Sequence, residues 1–402
     1  MTPHSDTDNH PQKEELEALL TQVLPLNLPH VHFQDLASIE RVIPQDAFTD
    51  ILTDLAHGNP GAVTLIDVRS EAEFEKERLP FAVNLPILTN EERHRVGLIY
   101  KRHDKGLALS YAWHLAKEKE DAYLEKVREL AQDRPVFLYC WRGGGRSRYT
   151  SSMLNENGIN AVRLDGGQKA FRKEVHTLLY DQELTLYPLS GKTGCGKSEL
   201  LEYIQAHHPE IPVLHLEAAA GHAASVFGEI RFALMGDSLA KSQRDFETHL
   251  YVNLLQHRRK DGSLPPFLTE MESKKIGQFN LPPTICRALE QEAHIGLTCP
   301  LDARLDRLKR EYFGSGGKQA ETMVKDAIRY LTRRVGTQAV ERWFEAIDAG
   351  DYLTFLREVM VDYYDKVYKG VEKTPLAIVD NAHVDQAAKV IVAWYADRIQ
   401  AS

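Results

Sequence analysis

Two stretches of the chain combine residue types that serve chemistry better than packing. The first is Leu138-Tyr139-Cys140-Trp141-Arg142-Gly143-Gly144-Gly145-Arg146-Ser147. A cysteine ends a short apolar run and opens a Cys-x5-Arg spacing in which three of the five intervening residues are glycines. Glycines let backbone amides converge on an anion, and a helix starting just beyond adds a field that favours negative charge. With Arg142 and Arg146 beside it, that field favours thiolate over thiol. The expectation is a nucleophilic Cys140 within an anion-binding loop of Arg142, Gly143, Gly144, Gly145, Arg146 and Ser147. A structural cysteine at a tight turn is the plainer alternative, but it leaves the glycines and arginines without a purpose.

The second stretch is Gly191-Lys192-Thr193-Gly194-Cys195-Gly196-Lys197-Ser198, which fills the GxxxxGK[ST] pattern. It follows a strand-like run, Leu184 to Leu189, and precedes a helical segment, Glu199 to Ala206, which is the context the motif requires. Gly191, Thr193, Gly194 and Gly196 bring amides to a phosphate, Lys197 neutralises it, and Ser198 is a possible Mg²⁺ ligand. No other metal site and no tightly bound cofactor is expected. Cys195 reads as a small loop residue. Further along, Val213 to Glu217 reads as a strand ending on an acid, His222 and Ser225 sit among small residues, and Met271-Glu272-Ser273, after Pro266 to Glu270, has the shape of a strand ending on a Walker-B-like carboxylate, Glu272. Glu217, His222, Ser225 and Glu272 are candidates for the same site.

Both loops need a strand behind them and a helix ahead. Ala62 to Asp67, Pro135 to Tyr139 and Ala161 to Leu164 are apolar runs of strand length, separated by amphipathic helical stretches at 90–100 and 107–130. Ser147 to Asn155 reads as a helix stopped at Gly158. Alternation of this kind implies a parallel sheet covered on both faces. Asp67 and Arg69 are expected to cap the following helix and tie its turn. Glu14 to Val23 reads as a helix with no chemistry. The fold class is α/β: a first parallel-sheet domain, then a P-loop α/β domain with a helical C-terminal part. The expected division is an extension at 1–45, a first domain at 46–175, a linker at 176–183, a P-loop domain at 184–370 and a C-terminal helical segment at 371–402.

The whole chain bounds the setting. It has 402 residues and a formal charge of -9, so any nucleic-acid contact must come from local basic patches. Such patches occur at His257 to Lys260, at Arg304 to Arg310 and at Arg329, Arg333 and Arg334; taken singly, each reads as a solvated helix face. The four cysteines form no CxxC pair. With no basic-then-apolar leader and no membrane-length run, the expected location is cytoplasmic, with no membrane partner. A monomer is the expected state.

The first domain resembles the rhodanese family through Leu65-Ile66-Asp67-Val68-Arg69 with Glu73-Phe74, the Cys140 loop, and Leu164-Asp165-Gly166-Gly167. Cys-x5-Arg also resembles the cysteine phosphatases, but Tyr139 stands where they often place histidine. A rhodanese-like domain running into a P-loop domain resembles the tRNA 2-selenouridine synthase family. Ser242-Gln243 with Phe246-Glu247, Glu272-Ser273 with Ile276-Gly277, and Tyr363-Tyr364-Asp365 add to that resemblance. Two departures stand out. His222-Ala223-Ala224-Ser225 lacks an arginine and, with Glu217-Ala218, two glycines of the family pattern. Gln168 replaces an expected aromatic.

The resemblance implies a selenotransferase acting on tRNA. Wobble 2-thiouridine in the anticodon loop would become 2-selenouridine. Selenophosphate would supply selenium, and geranyl diphosphate would convert the sulfur into a better leaving group. A selenophosphate-producing enzyme is the implied upstream partner. Two readings from other classes stay open: a sulfurtransferase fused to an ATPase or kinase, and a non-catalytic tRNA-binding protein.

Overall fold

The computed structural model describes residues 10–36, 41–59, 63–223, 225–235, 240–290, 294–314, 316–367 and 374–400. The chain forms two compact units that divide between Glu174 and Val175. Ala62 and Ala224, which the sequence reading included, lie outside the described residues.

The first unit holds helices α1 His10–Val23, α2 Gln45–Ala56, α3 Glu71–Lys76, α4 Asn90–Arg102, α5 Lys105–Lys117, α6 Glu120–Ala131, α7 Gly145–Glu156 and α8 Gly167–His176. Its strands are β1 Val42–Ile43, β2 Thr64–Asp67, β3 Val83–Asn84, β4 Val136–Tyr139 and β5 Ala161–Leu164. They form one parallel sheet in the order β1-β5-β4-β2-β3. Every residue of β2 and β4 is buried, as continuous apolar runs in a sheet covered on both faces should be. The amino-terminal helix α1 is part of this unit: Leu19 and Val23 pack with Leu98, Ile99 and Tyr111 of α4 and α5.

At the end of β2 the expected capping roles change hands. Asp67 and Arg69 are buried and bonded to each other, with Arg69 Nη2 2.6 Å from Asp67 Oδ2 and also donating to Glu77 O. The cap of α3 is Ser70 with Glu73, whose carboxylate accepts from both the Ser70 amide and hydroxyl.

The second unit holds α9 Lys197–His207, α10 Leu216–Ala220, α11 Ile230–Met235, α12 Gln243–Leu255, α13 Pro283–Glu290, α14 Leu301–Phe313, α15 Gly317–Arg329, α16 Thr332–Val335, α17 Thr337–Asp348, α18 Tyr352–Val359, α19 Asp365–Val367 and α20 Val384–Gln400. Its strands are β6 Leu186–Ser190, β7 Val213–Leu214, β8 Phe267–Glu270, β9 Lys275–Ile276, β10 Phe279–Asn280, β11 Ile295–Thr298 and β12 Ala377–Asp380. A parallel sheet runs β12-β11-β6-β8-β7, and β9 and β10 make a small antiparallel hairpin. The P-loop therefore leaves the central strand. A separate helical core around Trp343, Phe355 and Met360 packs on α14.

Two details of the sequence reading are corrected. The run from Val213 leaves the strand at Leu214, and Glu217 lies inside α10, because the Leu216 amide bonds the Glu270 carboxylate and the chain turns into a short helix closed by Gly221. Likewise β8 ends on Glu270, which is fully buried, and Glu272 lies two residues beyond it.

Candidate active sites on two units

In the first unit, β4 delivers Cys140 to the start of α7. The thiol is buried, with its Sγ 3.2 Å from both the Gly144 amide and the Ser147 hydroxyl. Gly143 takes a left-handed φ of 64°. A Cβ there would lie 2.7 Å from Arg163 Nη1 and 2.9 Å from Leu164 O, so only glycine fits. Arg163 in turn donates to Gly143 O at 2.7 Å. Gly167 meets the loop from the other side, where an added Cβ would come within 2.1 Å of Cys140 O. Gln168 and Lys169 then donate their amides to Cys140 O and Trp141 O. The loop is thus held in one conformation by backbone contacts, with an N–H already aimed at the sulfur.

The two loop arginines have different surroundings. Arg142 is exposed. Arg146 forms a bidentate pair with Glu73, at 2.6 and 3.1 Å, and Arg93 adds a third arginine bond to the carboxylate that also caps α3. Burial alone would push the Glu73 carboxyl up, but Arg146 and Arg93 outweigh it and hold it at about 2. Glu73 therefore stays ionised at neutral pH and is poorly suited to protonate a leaving group, as a cysteine phosphatase requires. Asp67 is committed to Arg69, and Tyr139 accepts the Leu79 amide with its hydroxyl.

The second unit brings together Lys197, Ser198, Glu217, Ser225 and Glu272 around a cavity of ≈ 440 Å³ beneath Gly194 and Gly196. Ser198 donates to Glu217 at 2.6 Å. Burial would lower the Lys197 ammonium, but Glu217 and Glu272 prevail and raise it. Burial and the neighbouring Glu217 charge hold Glu272 well above the ordinary carboxylate range, against Lys197. Glu270 sits behind this group, accepting the Leu216 amide at 2.9 Å. His222 is not part of the cavity lining. It packs against Gly277 and Gly228, and its Nδ1 is buried without a hydrogen-bond partner among the described residues.

The loop itself is clamped from α14 and from beyond β12. Arg304 donates to Thr193 O at 2.9 Å and pairs bidentately with Asp365. Arg307 donates to Gly194 O at 2.8 Å and pairs with Glu199. Asn381 donates to Cys195 O and Gly196 O. These arginines are 3% and 8% exposed, so the reading of 304–310 as a solvated basic face or RNA contact is withdrawn for both. Asn381, Arg231 and Glu311 escaped the sequence reading. Asn381 had one usable signal, its position just after an apolar run in strand context. Burial lifts the Glu311 carboxyl to about 7, against Arg231. Cys195 packs into the sheet core, where burial raises its thiol.

The comparisons with known proteins divide the chain similarly. The model of the tRNA 2-selenouridine synthase AAA domain matches residues 184–400, and that of the rhodanese-like domain matches 50–174. A tRNA 2-selenouridine synthase from Nitrosomonas europaea is 34% identical over 69% of this chain and 71% of its own length. One from Hahella chejuensis is 32% identical over 76% and 84%, and one from Chromohalobacter salexigens is 30% identical over 77% and 89%. With a second-unit match spanning more than half the chain, and relatives aligned along most of their length, the chain belongs to the tRNA 2-selenouridine synthase family.

Proposed function

We propose that this chain replaces sulfur by selenium in the wobble 2-thiouridine of tRNA, with selenophosphate as donor and an S-geranylated base as intermediate. The observation that carries it is the pairing on one chain of a sulfur held by a loop amide, Cys140 with Gly144, and a P-loop whose Lys197 lines a cavity beside the Glu217 and Glu272 carboxylates. The first suits transfer at sulfur or selenium; the second suits a diphosphate.

Atoms balance over two stages. The thiouridine sulfur attacks the allylic carbon of geranyl diphosphate; an S–C bond forms, a C–O bond breaks, diphosphate leaves with the electron pair, and the base loses its N3 proton. Cys140 then attacks C2 and expels the geranyl thiolate, which takes up a proton. Selenium from selenophosphate displaces the Cys140 sulfur at C2, water accepts the phosphoryl group, and N3 regains a proton. A wobble base is already accessible in its loop. If a divalent cation accompanies the diphosphate, Ser198 Oγ and the Glu217 carboxylate are the hard oxygen donors beside it.

Lys197→Ala tests the cradle. Geranyl diphosphate affinity measured by calorimetry should fall at least tenfold, and unchanged affinity contradicts the assignment. The competing sulfurtransferase–ATPase reading is supported by the complete P-loop and requires tRNA-independent ATP turnover.

A further inference from the structure

We propose that the first unit carries a dedicated seat for the hydrocarbon chain on the reacting base sulfur, in the cleft that opens beside Cys140. This deepens the reading above and rests on its S-alkylated intermediate. The cleft measures ≈ 910 Å³ and reaches Cys140 at its floor. Its walls include Leu88, Val96, Leu109, Ala112, Trp113 and Trp141, the largely apolar lining expected of a small-molecule site of this size. A selenophosphate anion needs amides and cations, which the Cys140 loop supplies. It has no use for an apolar cleft.

Two features indicate that the space is built rather than left over. Leu109, Ala112 and Trp113 stand three and four apart on α5 and so share a helix face. Leu109 and Trp113 line the cleft and belong to neither the cluster around Ile66 and Leu138 nor the one around Leu19 and Ile99. Opposite them, Gly97 lies mid-way along α4, where glycine costs about 0.5–1 kcal/mol relative to alanine. A Cβ on Gly97 would meet nothing within 4 Å, so the missing side chain relieves no contact. What it leaves is volume in the cleft. The rim carries exposed Lys101, Arg102 and Lys105, suited to the phosphates on either side of a base whose substituent points inward.

The test uses the full chain with Cys140→Ser, which cannot turn over. Anticodon stem-loops carrying S-geranyl-2-thiouridine or S-methyl-2-thiouridine are titrated by fluorescence anisotropy. The geranyl form should bind at least tenfold tighter. Gly97→Phe, which fills the cleft, and Leu109→Glu, which charges it, should each reduce that ratio to about one, with circular dichroism confirming the fold. A ratio near one in the parent, or a ratio insensitive to both substitutions, overturns the proposal. Selenium exchange is read separately with Cys140 restored. A cleft-dependent ratio without exchange leaves the cleft standing and refutes the reaction, whereas exchange with a cleft-insensitive ratio refutes the cleft alone.

Discussion

Glu73→Gln removes the charge that holds Arg146 near the Cys140 sulfur, and its cost can be worked from the structure. The carboxyl falls from 4.5 to about 2 on folding, which at ~1.4 kcal/mol per tenfold change amounts to about 3 kcal/mol. The Glu73 side chain keeps 19% exposure and its partner Arg93 keeps 52%, so solvent screening trims the figure to about 2 kcal/mol. Because the folded value is depressed, the stabilisation is fully present above 4.5 and is lost as pH falls toward 2. The variant should therefore be less stable by about 2 kcal/mol at neutral pH, with the deficit shrinking on acidification through that window. Native-state hydrogen exchange of peptides from β2 and β4 reports this unit separately from the second. A cycle with Arg146→Met isolates the pair, with an expected coupling of about 1–2 kcal/mol at neutral pH. Coupling below about 0.5 kcal/mol, or a deficit unchanged by acid, would refute the reasoning.

Other substitutions probe separate links. Arg304→Met removes the bidentate partner of Asp365, which keeps only Lys192, and frees Thr193 O; because Asp365 is 21% exposed, thermal unfolding should show a loss of about 1–3 kcal/mol in the second unit. Gly143→Ala should abolish the Cys140 loop conformation, seen as lost exchange protection at Gly144 and lost transfer activity. Tyr330 is 80% exposed between Arg329 and Arg333, a combination suited to stacking on an RNA base. Tyr330→Ala should weaken tRNA binding by about 1–3 kcal/mol in filter binding, and no change would remove this face from the RNA contact.

What could be read beforehand was what lies close together along the chain. The Cys140 loop and the P-loop are contiguous, and the buried strands behind them are short apolar runs, so residue type and order sufficed. What was misread depends on distant partners. Arg304 looked like one more surface base, yet its partners Thr193 and Asp365 lie 111 and 61 residues away. Arg146 was expected to serve an anion directly; its bidentate bond to Glu73, 73 residues earlier, has no local signature. That β8 ends on Glu270 and not on Glu272 depends on where a strand stops, which alternation of apolar residues does not resolve within two positions. The cleft beside Cys140 was invisible for a related reason: Gly97 is an ordinary helix glycine until α5 is seen opposite it.

The most direct test of the central claim is mass spectrometry of tRNA nucleosides after incubation with selenophosphate, with and without geranyl diphosphate. The intact chain should convert wobble 2-thiouridine to 2-selenouridine when geranyl diphosphate is present. Cys140→Ser should bind tRNA nearly as well and yield none. Undiminished 2-selenouridine from Cys140→Ser, or none from the intact chain with both substrates supplied, would contradict it.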